Sequence, residues 1–218
     1  MPTTQVNIPD EFRGEPVESY DDIPAEYIKA LDTILIPDGK IKSRVKRLAR
    51  DIHEDYVGEG IHIICIQKGA GTFCGDLMYR LAKANVKDYS RNVNVTRRDV
   101  TASSYKNQES TGNVSQDSDN FEDARGKNIL IVEDIVDSSL TMVKLIEFIR
   151  KYDPKTVKVA TLLDKRVPRT TGFVPDYIGF SVPAWAWVVG YGMDYNEKYR
   201  DIFHIATLND LGKQNGKI

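Results

Sequence analysis

The chain has 218 residues, of which 41% are hydrophobic and 28% charged, and its formal net charge at pH 7 is −2. This length suffices for one domain with a full core, or for one domain with a small appendage. The slight negative charge gives no electrostatic reason to expect nucleic acid or an anionic membrane as a partner. No apolar run approaches the roughly 18 residues that span a bilayer, and the polar N-terminus lacks the layout of a signal peptide. We expect a cytoplasmic protein.

The cysteines and histidines give no sign of a disulfide framework or a metal centre. Cys65 and Cys74 fall in a predicted strand and in the helix after it, where reduced thiols act as small hydrophobic side chains. His53, His62 and His204 have no metal-binding spacing with one another or with cysteine. We interpret the three histidines as structural or surface residues.

The first forty residues carry weak signals. Residues 1–20 hold little apolar material and are predicted to form a loose arm. Pro24 suits a first helical position, which predicts a helix through about Leu31. The apolar residues 34–36 then run into Pro-Asp-Gly at 37–39, which is a turn signal.

Two helices with buried faces are predicted on either side of a strand. Residues 61–66 form a short and almost continuously apolar run, typical of a central parallel strand covered on both faces. The helix before it covers about residues 41–56, and the helix after it follows a loop at 68–71. The apolar residues at helical spacing are Ile41, Val45, Leu48, Ile52 and Tyr56, then Phe73, Leu77 and Leu81.

The alternation of strands and helices continues downstream. Residues 128–132 and 157–163 predict strands, and residues 141–150 between them predict a helix. Such alternation predicts an α/β fold, in which helices flank a parallel twisted sheet and ligands bind at the carboxyl ends of the strands. Further short strands are expected at residues 178–180, 188–189 and 204–208.

One polar segment interrupts this rhythm. Residues 106–123 hold only Val114 and Phe121 as large apolar residues. Segments longer than about 12–15 residues without regular structure are usually functional lids or disordered. Composition alone leaves both readings open.

The strongest functional signal lies in residues 131–142, where an apolar strand meets a helix. Two adjacent acids, Glu133 and Asp134, follow the strand, and a short polar loop leads into the helix. A helix N-terminus offers unpaired N–H groups and a positive dipole end, which suit phosphate. Adjacent acids can hold vicinal hydroxyls, or a Mg²⁺ that the hydroxyls share. Helix capping alone would explain Asp137 or Ser138, but not two costly carboxylates beside a buried strand.

This segment resembles the phosphoribosyl-pyrophosphate loop of the type I phosphoribosyltransferases. The family pattern is apolar residues, two acids, two apolar residues, Asp, Thr-Gly, any residue and Thr. Other stretches, in chain order, resemble the hypoxanthine-guanine branch, and the resemblance runs from about residue 22 to 212. These stretches are Lys68-Gly69, Ser104-Tyr105 ahead of residues 110–112, residues 165–169, residues 188–191 and residues 194–201.

The resemblance implies the type I phosphoribosyltransferase fold with a small hood built from N- and C-terminal segments. A single domain is expected over residues 21–218, with hood segments at about 21–40 and 183–218. A flexible active-site lid is expected at about 101–122. The resemblance further implies a homodimer or homotetramer.

The resemblance also implies how phosphoribosyl pyrophosphate and its Mg²⁺ cofactor bind. Lys68-Gly69 and Arg200 bind the pyrophosphate, and the peptide bond before Lys68 is expected to be cis. The acids at 133–134 hold the ribose hydroxyls, and residues 137–141 hold the 5′-phosphate. Glu133, Asp134 and Asp194 are the expected metal ligands. The expected substrate-binding residues are Lys68, Gly69, Glu133, Asp134, Ser138, Ser139, Leu140, Thr141, Lys165, Trp187, Val188, Asp194 and Arg200.

For the purine, the resemblance implies that Lys165 donates to O6 of a 6-oxopurine. Trp187 stacks on the ring, and the backbone of Val188 meets the base edge. The competing reading of Lys165 is a solvated basic turn shared with Arg166 and Arg169. The implied reaction makes IMP or GMP from hypoxanthine or guanine.

Three residues are expected to serve the chemical step. Asp137 would lie near the purine N7 and act as the general base. Ser104 and Tyr105 open the lid, which would close over the reacting centre and exclude water. A disordered linker is the alternative reading of that segment.

The sequence departs from the family pattern in two places. Ser138-Ser139 stands where Thr-Gly is usual, and the strand at 95–100 carries charges, which suggest an edge strand or a changed interface near the lid. Two other functions therefore stay open: a catalytically weakened paralogue, and a regulator of this fold that senses phosphoribosyl pyrophosphate and binds nucleic acid. The acidic net charge and the set Lys165, Trp187 and Asp194 argue against the regulator.

Overall fold

The computed structural model describes residues 5–87, 89–101 and 120–214 of the chain. The expected lid, with Ser104 and Tyr105, lies almost entirely outside these residues. The helices are α1 (Ala25–Ile28), α2 (Asp38–Asp55), α3 (Gly71–Lys87), α4 (Leu140–Arg150) and α5 (Asp210–Gln214). The strands are β1 (Val6–Asn7), β2 (Glu15–Pro16), β3 (Leu31–Ile36), β4 (Gly60–Gln67), β5 (Asn94–Thr101), β6 (Asn128–Val136), β7 (Thr156–Arg166), β8 (Tyr177–Pro183), β9 (Val188–Val189) and β10 (Ile205–Leu208).

The main sheet has six strands in the order β1-β8-β7-β6-β4-β5, and every neighbouring pair is parallel. Successive residues of β4 alternate between the two faces of this sheet. Ile63 and Cys65 pack with α2 and α3, whereas Ile64 and Ile66 pack with α4. The continuous apolar run in the sequence is therefore a strand covered on both sides. This arrangement confirms the predicted α/β class.

Helix α2 forms where the periodic apolar residues predict it. A charged residue is buried among them: Arg44 donates hydrogen bonds to the main-chain oxygens of Ile178 (2.7 Å) and Gly179 (2.8 Å) in β8. Its guanidinium thus satisfies carbonyl groups between the helix and the sheet. The apolar stripe consists of Ile41, Val45, Leu48 and Ile52, each with 0% of its surface exposed.

A second, antiparallel sheet has the order β2-β3-β10-β9. It draws on residues 15–36 and 188–208, so it joins the two ends of the chain. Its own core includes Ile34, Val189 and Ala206, which are fully buried.

Two local predictions in the N-terminal region are wrong. Helix α1 ends at Ile28 instead of continuing to Leu31, because Leu31 begins β3 and pairs with Leu208 of β10. The Pro-Asp-Gly sequence does not form an isolated turn. Pro37 is the N-cap of α2 without a side-chain capping bond, and Asp38 begins the helix, where an acid is favourable beside the positive end of the helix dipole.

The prediction of a loose arm over residues 1–20 is also wrong for the described residues from 5 onwards. Val6 pairs with Phe180 at one edge of the main sheet, and Val17 is only 2% exposed. Arg166 reaches this segment from β7 and donates to Ile8 O (2.7 Å) and Asp10 Oδ1 (2.6 Å). These long-range contacts order a segment that has few apolar residues of its own.

Two further expectations about placement agree with the structure. The charged strand β5 lies at an edge of the main sheet, where its side chains can reach solvent. Cys65 in β4 and Cys74 in α3 are buried and free. Among the described residues, no helix is long and apolar enough to cross a membrane.

Candidate active site

Three neighbouring strands of the main sheet, β4, β6 and β7, bring the predicted site residues to one edge. They are parallel, so their carboxyl ends lie together. Lys68-Gly69 follow β4, residues 133–139 end β6 and follow it, and Lys165 lies at the end of β7. Two adjoining cavities open there, and they share Asp134, Ile135 and Asp137 as lining residues.

The first cavity, which we call the loop cavity, has a volume of about 370 Å³. It lies between the end of β4 and the turn from β6 into α4. Its lining combines apolar side chains with hydroxyl groups and carboxylates, and the polar groups are those that an anionic sugar phosphate with a bound cation would need. The predicted site residues that line it are Gly69, Glu133, Asp134, Asp137, Ser138, Ser139 and Thr141.

Gly69 packs closely against the side chain of Asp134. A Cβ atom at position 69 would lie 1.8 Å from Oδ2 of Asp134. Gly192 approaches from the other side, with φ +94°, and a Cβ there would lie 2.6 Å from the main-chain oxygen of Gly69. The peptide bond between Gln67 and Lys68 is cis, as the resemblance implies. Two glycines thus allow the loop after β4 to pack against the acid pair.

The acid pair is electrostatically strained. Burial, and then the negative charge of Asp134, raise the pKa of Glu133 well above its ordinary value. The N–H of Asp134 donates to Glu133 Oε1 (3.1 Å), which favours the charged form but does not outweigh burial and the charge and hydrogen bond of the Asp134 side chain. A cation or a set of hydroxyl donors at this point would relieve the repulsion.

The turn from β6 into α4 contains one residue in a left-handed conformation. Ser139 has φ +65° and ψ −8°, and it is 5% exposed. Its hydroxyl donates to Ser138 O (2.5 Å) and contacts Thr171 Oγ1 (2.6 Å). The side chain is therefore tied to the loop after β7 rather than presented to the cavity as a free donor.

The second cavity, which we call the tryptophan cavity, has a volume of about 340 Å³. Nζ of Lys165 lies 3.5 Å from Oδ2 of Asp137. The indole of Trp187 is 48% exposed and packs edge-on against Tyr195, with the ring centres 5.6 Å apart. An open aromatic face, a cation and a carboxylate thus surround one space. The predicted site residues that line it are Asp134, Asp137, Lys165, Trp187, Val188 and Asp194.

A charged network lies beside the tryptophan cavity. Arg200 contacts Asp194 at 2.8 Å and Glu197 at 3.4 Å, and Glu197 also contacts Lys68 at 3.1 Å. Both carboxylate oxygens of Asp194 have partners, since Oδ2 accepts from the N–H of Glu197 (2.7 Å). Lys68 and Arg200 are therefore joined through Glu197, which the sequence analysis did not single out.

The structure brings most of the predicted site together but leaves some residues outside the cavities. Lys68 and Arg200 lie in the charged network and line neither cavity. Leu140 begins α4 and is 52% exposed, so its side chain also points away from the lining. Ser104 and Tyr105 belong to the undescribed residues.

Arg169 is a residue whose importance the sequence did not reveal. It donates to the main-chain oxygens of Val136 (2.9 Å), Asp137 (2.8 Å) and Lys165 (3.0 Å), and to Asp164 Oδ1 (2.6 Å). The competing reading of a solvated basic turn is wrong for this residue, whose side chain is 11% exposed. One guanidinium thus joins the ends of β6 and β7.

Comparisons with known proteins agree with this fold and site. Residues 36–196 match the family model described as phosphoribosyl transferase domain. A match over most of the chain, on a parallel sheet with an acid pair and a polar loop at its carboxyl edge, defines an enzyme of phosphoribosyl transfer. The chain belongs to the phosphoribosyltransferase family.

Its relatives narrow the membership to one branch. The chain is 41% identical to the hypoxanthine-guanine phosphoribosyltransferase of Homo sapiens over 192 residues, covering 88% of this chain and 87% of that one. It is 41% identical to the hypoxanthine-guanine-xanthine phosphoribosyltransferase of Plasmodium falciparum over 200 residues, covering 89% and 85%. A crystal structure of the Schistosoma mansoni hypoxanthine-guanine enzyme in complex with IMP superposes with a TM-score of 0.81 at 33% identity, covering 98% and 99%. The branch is the hypoxanthine-guanine phosphoribosyltransferases.

Proposed function

We propose that this protein is a purine-salvage enzyme that transfers the phosphoribosyl group of phosphoribosyl pyrophosphate to hypoxanthine or guanine. The products are IMP or GMP and pyrophosphate. The observation that carries this proposal is the pair of adjoining cavities at one sheet edge. The loop cavity suits a sugar phosphate, and the tryptophan cavity, with Lys165 and Asp137 in contact, suits a flat base that offers O6 and N7 on one edge.

The phosphoribosyl group occupies the loop cavity in this proposal. Main-chain N–H groups and hydroxyls of residues 138–141 hold the 5′-phosphate at the N-terminus of α4. Leu140 contributes its main chain, which agrees with a side chain that faces solvent. Glu133 and Asp134 accept hydrogen bonds from the ribose hydroxyls. This binding, remote from the reacting carbon, anchors the sugar for displacement.

The purine occupies the tryptophan cavity. Trp187 stacks on the ring, and Lys165 donates to O6. The main chain of Val188 meets the edge of the base. A 6-oxopurine is favoured because O6 accepts a hydrogen bond from an ammonium group, whereas the amino group of adenine is a donor.

Asp137 acts as the general base. A ring nitrogen of the purine attacks the anomeric carbon. As it does so, the purine loses the proton on N7, and the carboxylate of Asp137 accepts that proton. The bond between that carbon and the pyrophosphate oxygen breaks with development of positive charge on the sugar. Lys68 and Arg200 bind the departing pyrophosphate, with Gly69 allowing main-chain approach. Ser104 and Tyr105 serve in the lid that excludes water.

The residues present fit a Mg²⁺ ion that is held jointly with substrate. No group of three or more acidic, histidine or cysteine residues within the described ranges could hold a metal by itself. Mg²⁺ commonly binds one or two carboxylates together with substrate oxygens, and the repulsion between Glu133 and Asp134 favours a cation there. Glu133, Asp134 and Asp194 would hold it. When bound, it neutralises the charge of the pyrophosphate.

The test is a turnover assay with hypoxanthine, guanine, xanthine and adenine, run with Mg²⁺ and with excess chelator. We expect nucleotide formation from 6-oxopurines only, and none in chelator. A chain that binds phosphoribosyl pyrophosphate without turnover would be a weakened paralogue. If the chain shifted the electrophoretic mobility of nucleic acid in a way that depended on phosphoribosyl pyrophosphate, the result would instead support a regulator. Full turnover in chelator would exclude the metal.

The cellular setting is part of the proposal. We propose a cytoplasmic homodimer or homotetramer with small-molecule substrates and no nucleic-acid or membrane partner. The ordinary soluble composition supports the location, and the family resemblance supports the assembly. Light scattering at several protein concentrations tests the assembly, and fractionation of cells tests the location.

A further inference from the structure

A basic groove lies between helices α2 and α3, away from the site described above. Its volume is about 360 Å³, and it is lined by Lys46 and Arg50 from α2 and by Arg80, Lys83 and Ala84 from α3. Four of these five residues are cations. None of them lines the loop cavity or the tryptophan cavity. The groove therefore needs an explanation independent of the proposed reaction.

The four cations lack acidic partners, although other cations on the same helix have them. Lys42 pairs with Asp38 at 2.8 Å, and Arg47 pairs with Asp51 at 2.9 Å, each one helical turn apart. Among the described residues, no carboxylate lies within ion-pair distance of the four groove cations. These ion pairs neutralise positive charge on α2 outside the groove, whereas the positive charge of the groove is not neutralised.

Contacts on the α3 side keep the positive charge in place. The ring of Tyr79 lies under Arg80 (5.5 Å to its centre) and Lys83 (4.7 Å), which are cation–π contacts. Asp76, one turn before Arg80, accepts a hydrogen bond from the hydroxyl of Tyr191 (2.6 Å). The nearby aromatic ring orients two cations without neutralising them, and the nearby acid is engaged with a tyrosine.

Four like charges in a concave groove repel one another and attract anions. A cleft lined by one sign of charge focuses the field and raises the local concentration of counter-ions. The chain as a whole carries a net charge of −2, so the positive field is local. The long side chains can place their aliphatic parts along the groove and their charged ends around one occupant. The lining therefore brings four cations to one groove whose charge suits an anionic occupant.

We propose that this groove binds a compact polyanion, that is, a small molecule carrying two or more phosphate groups. A single phosphate would leave most of the four cations unneutralised. An extended nucleic-acid strand is disfavoured, because it would leave the groove and meet a surface that is slightly acidic overall. Helix α3 begins at Gly71, directly after the Lys68-Gly69 loop, so the occupant would contact the same helix that starts at the active-site edge.

The experiment is a calorimetric titration of the full chain with inorganic tripolyphosphate, which measures the binding affinity. The groove variant is Lys46→Ala/Arg80→Ala, which removes one cation from each helix. The matched control is Lys29→Ala/Lys151→Ala, which removes two exposed cations elsewhere and gives the same net charge. Arg200→Ala reports binding at the proposed active site. We expect the groove variant to bind tripolyphosphate about tenfold more weakly than wild type, or more weakly still. The control and Arg200→Ala should keep the wild-type affinity at the groove.

Several results would overturn the proposal. Unchanged affinity in the groove variant, equal loss in the control, or loss only in Arg200→Ala would each place the binding elsewhere. A single-stranded oligonucleotide that binds the groove more tightly than tripolyphosphate would make the site one for nucleic acid. A fall in oligomeric mass of the groove variant, measured by light scattering, would assign the groove to an interface between copies. Turnover of the groove variant without polyphosphate should equal that of wild type, which separates this proposal from the proposed catalytic function.

Discussion

The side chains of Lys165 and Asp137 meet across the tryptophan cavity, with Nζ 3.5 Å from Oδ2. They come from different strands, since Lys165 lies at the end of β7 and Asp137 follows β6. The ammonium group is 15% exposed and the carboxylate 57%. In the proposed function, this contact would place a donor for O6 beside an acceptor for a proton at N7, and these two atoms are neighbours on one edge of a 6-oxopurine.

Replacing Asp137 with asparagine should remove the base while keeping the shape of the loop. We expect the turnover number to fall by about 10²–10⁴-fold, with the affinity for phosphoribosyl pyrophosphate little changed. Steady-state kinetics and a separate binding titration measure the two quantities. A variant that turned over nearly as fast as wild type would reduce Asp137 to a residue of the turn.

Replacing Lys165 with methionine should weaken 6-oxopurines selectively. Methionine keeps much of the length but cannot donate to O6, so we expect kcat/KM for hypoxanthine and guanine to fall roughly tenfold to a hundredfold. Any residual reaction with adenine should be unharmed or improved. Lys155→Met, at the opposite end of β7, is the control. Equal losses for both kinds of base would show that Lys165 acts elsewhere.

Replacing Ser139 with glycine should strengthen the binding of phosphoribosyl pyrophosphate by the loop between β6 and α4. The left-handed conformation at φ +65° costs a residue with a Cβ roughly 1–2 kcal/mol. We therefore expect the Michaelis constant for phosphoribosyl pyrophosphate to fall severalfold, with little change for the purine. The opposing loss is the hydroxyl contact to Thr171, worth about 0.5–1.5 kcal/mol.

Ser139→Ala separates these two effects, because alanine loses the hydroxyl but keeps the strain. We expect Ser139→Ala to bind phosphoribosyl pyrophosphate no better than wild type. If the glycine variant bound it more weakly than wild type, the hydroxyl contact would dominate, and the loop would be adapted to serine.

Glu133 should make stability fall as pH rises. Its pKa is raised in the folded chain, so below the unfolded value of about 4.5 both states are protonated and the carboxyl costs nothing. As pH rises from there to the folded pKa, the unfolded state releases a proton that the folded state keeps, and stability is lost. Glu133→Gln should therefore be more stable than wild type at neutral pH, with the gain vanishing at low pH.

Urea unfolding at a series of pH values measures this difference. Glu147→Gln, an exposed position on α4, is the matched control. A gain for Glu133→Gln that did not depend on pH would mean that burial and the charge of Asp134 do not raise the pKa of Glu133. We expect the stabilised variant to lose activity, because the proposed function needs the Glu133 carboxylate for the ribose hydroxyls and the metal.

Arg169→Lys should disturb the geometry of the site without changing its charge. Lysine keeps the positive charge but lacks the planar set of donors that reaches five acceptors. We expect kcat to fall about tenfold at temperatures well below unfolding, because Asp137 and Lys165 lose their common anchor. Arg166→Lys, which removes hydrogen bonds to the N-terminal segment and to Ser181 of β8, is the control. A fall in melting temperature with unchanged kcat would make Arg169 merely structural.

The chain sequence by itself determined the order of the main elements. The continuous apolar runs of β4, β6 and β7 and the periodic stripe of α2 are local signals, and burial on both faces of a sheet leaves such patterns. The acids at 133–134 and the loop at 137–141 also follow directly from sequence, because their chemistry depends on adjacent residues at one strand end.

Only the tertiary structure decided features that depend on distant partners. Leu31 begins a strand instead of ending a helix because Leu208 pairs with it, and residues 6–7 are ordered because β8 offers an edge. The left-handed conformation of Ser139 and the hydrogen bonds of Arg169 arise where two strand ends are brought together. No local pattern records such contacts, since propensity describes neighbours in sequence, and these energies come from residues 30 to 180 positions away.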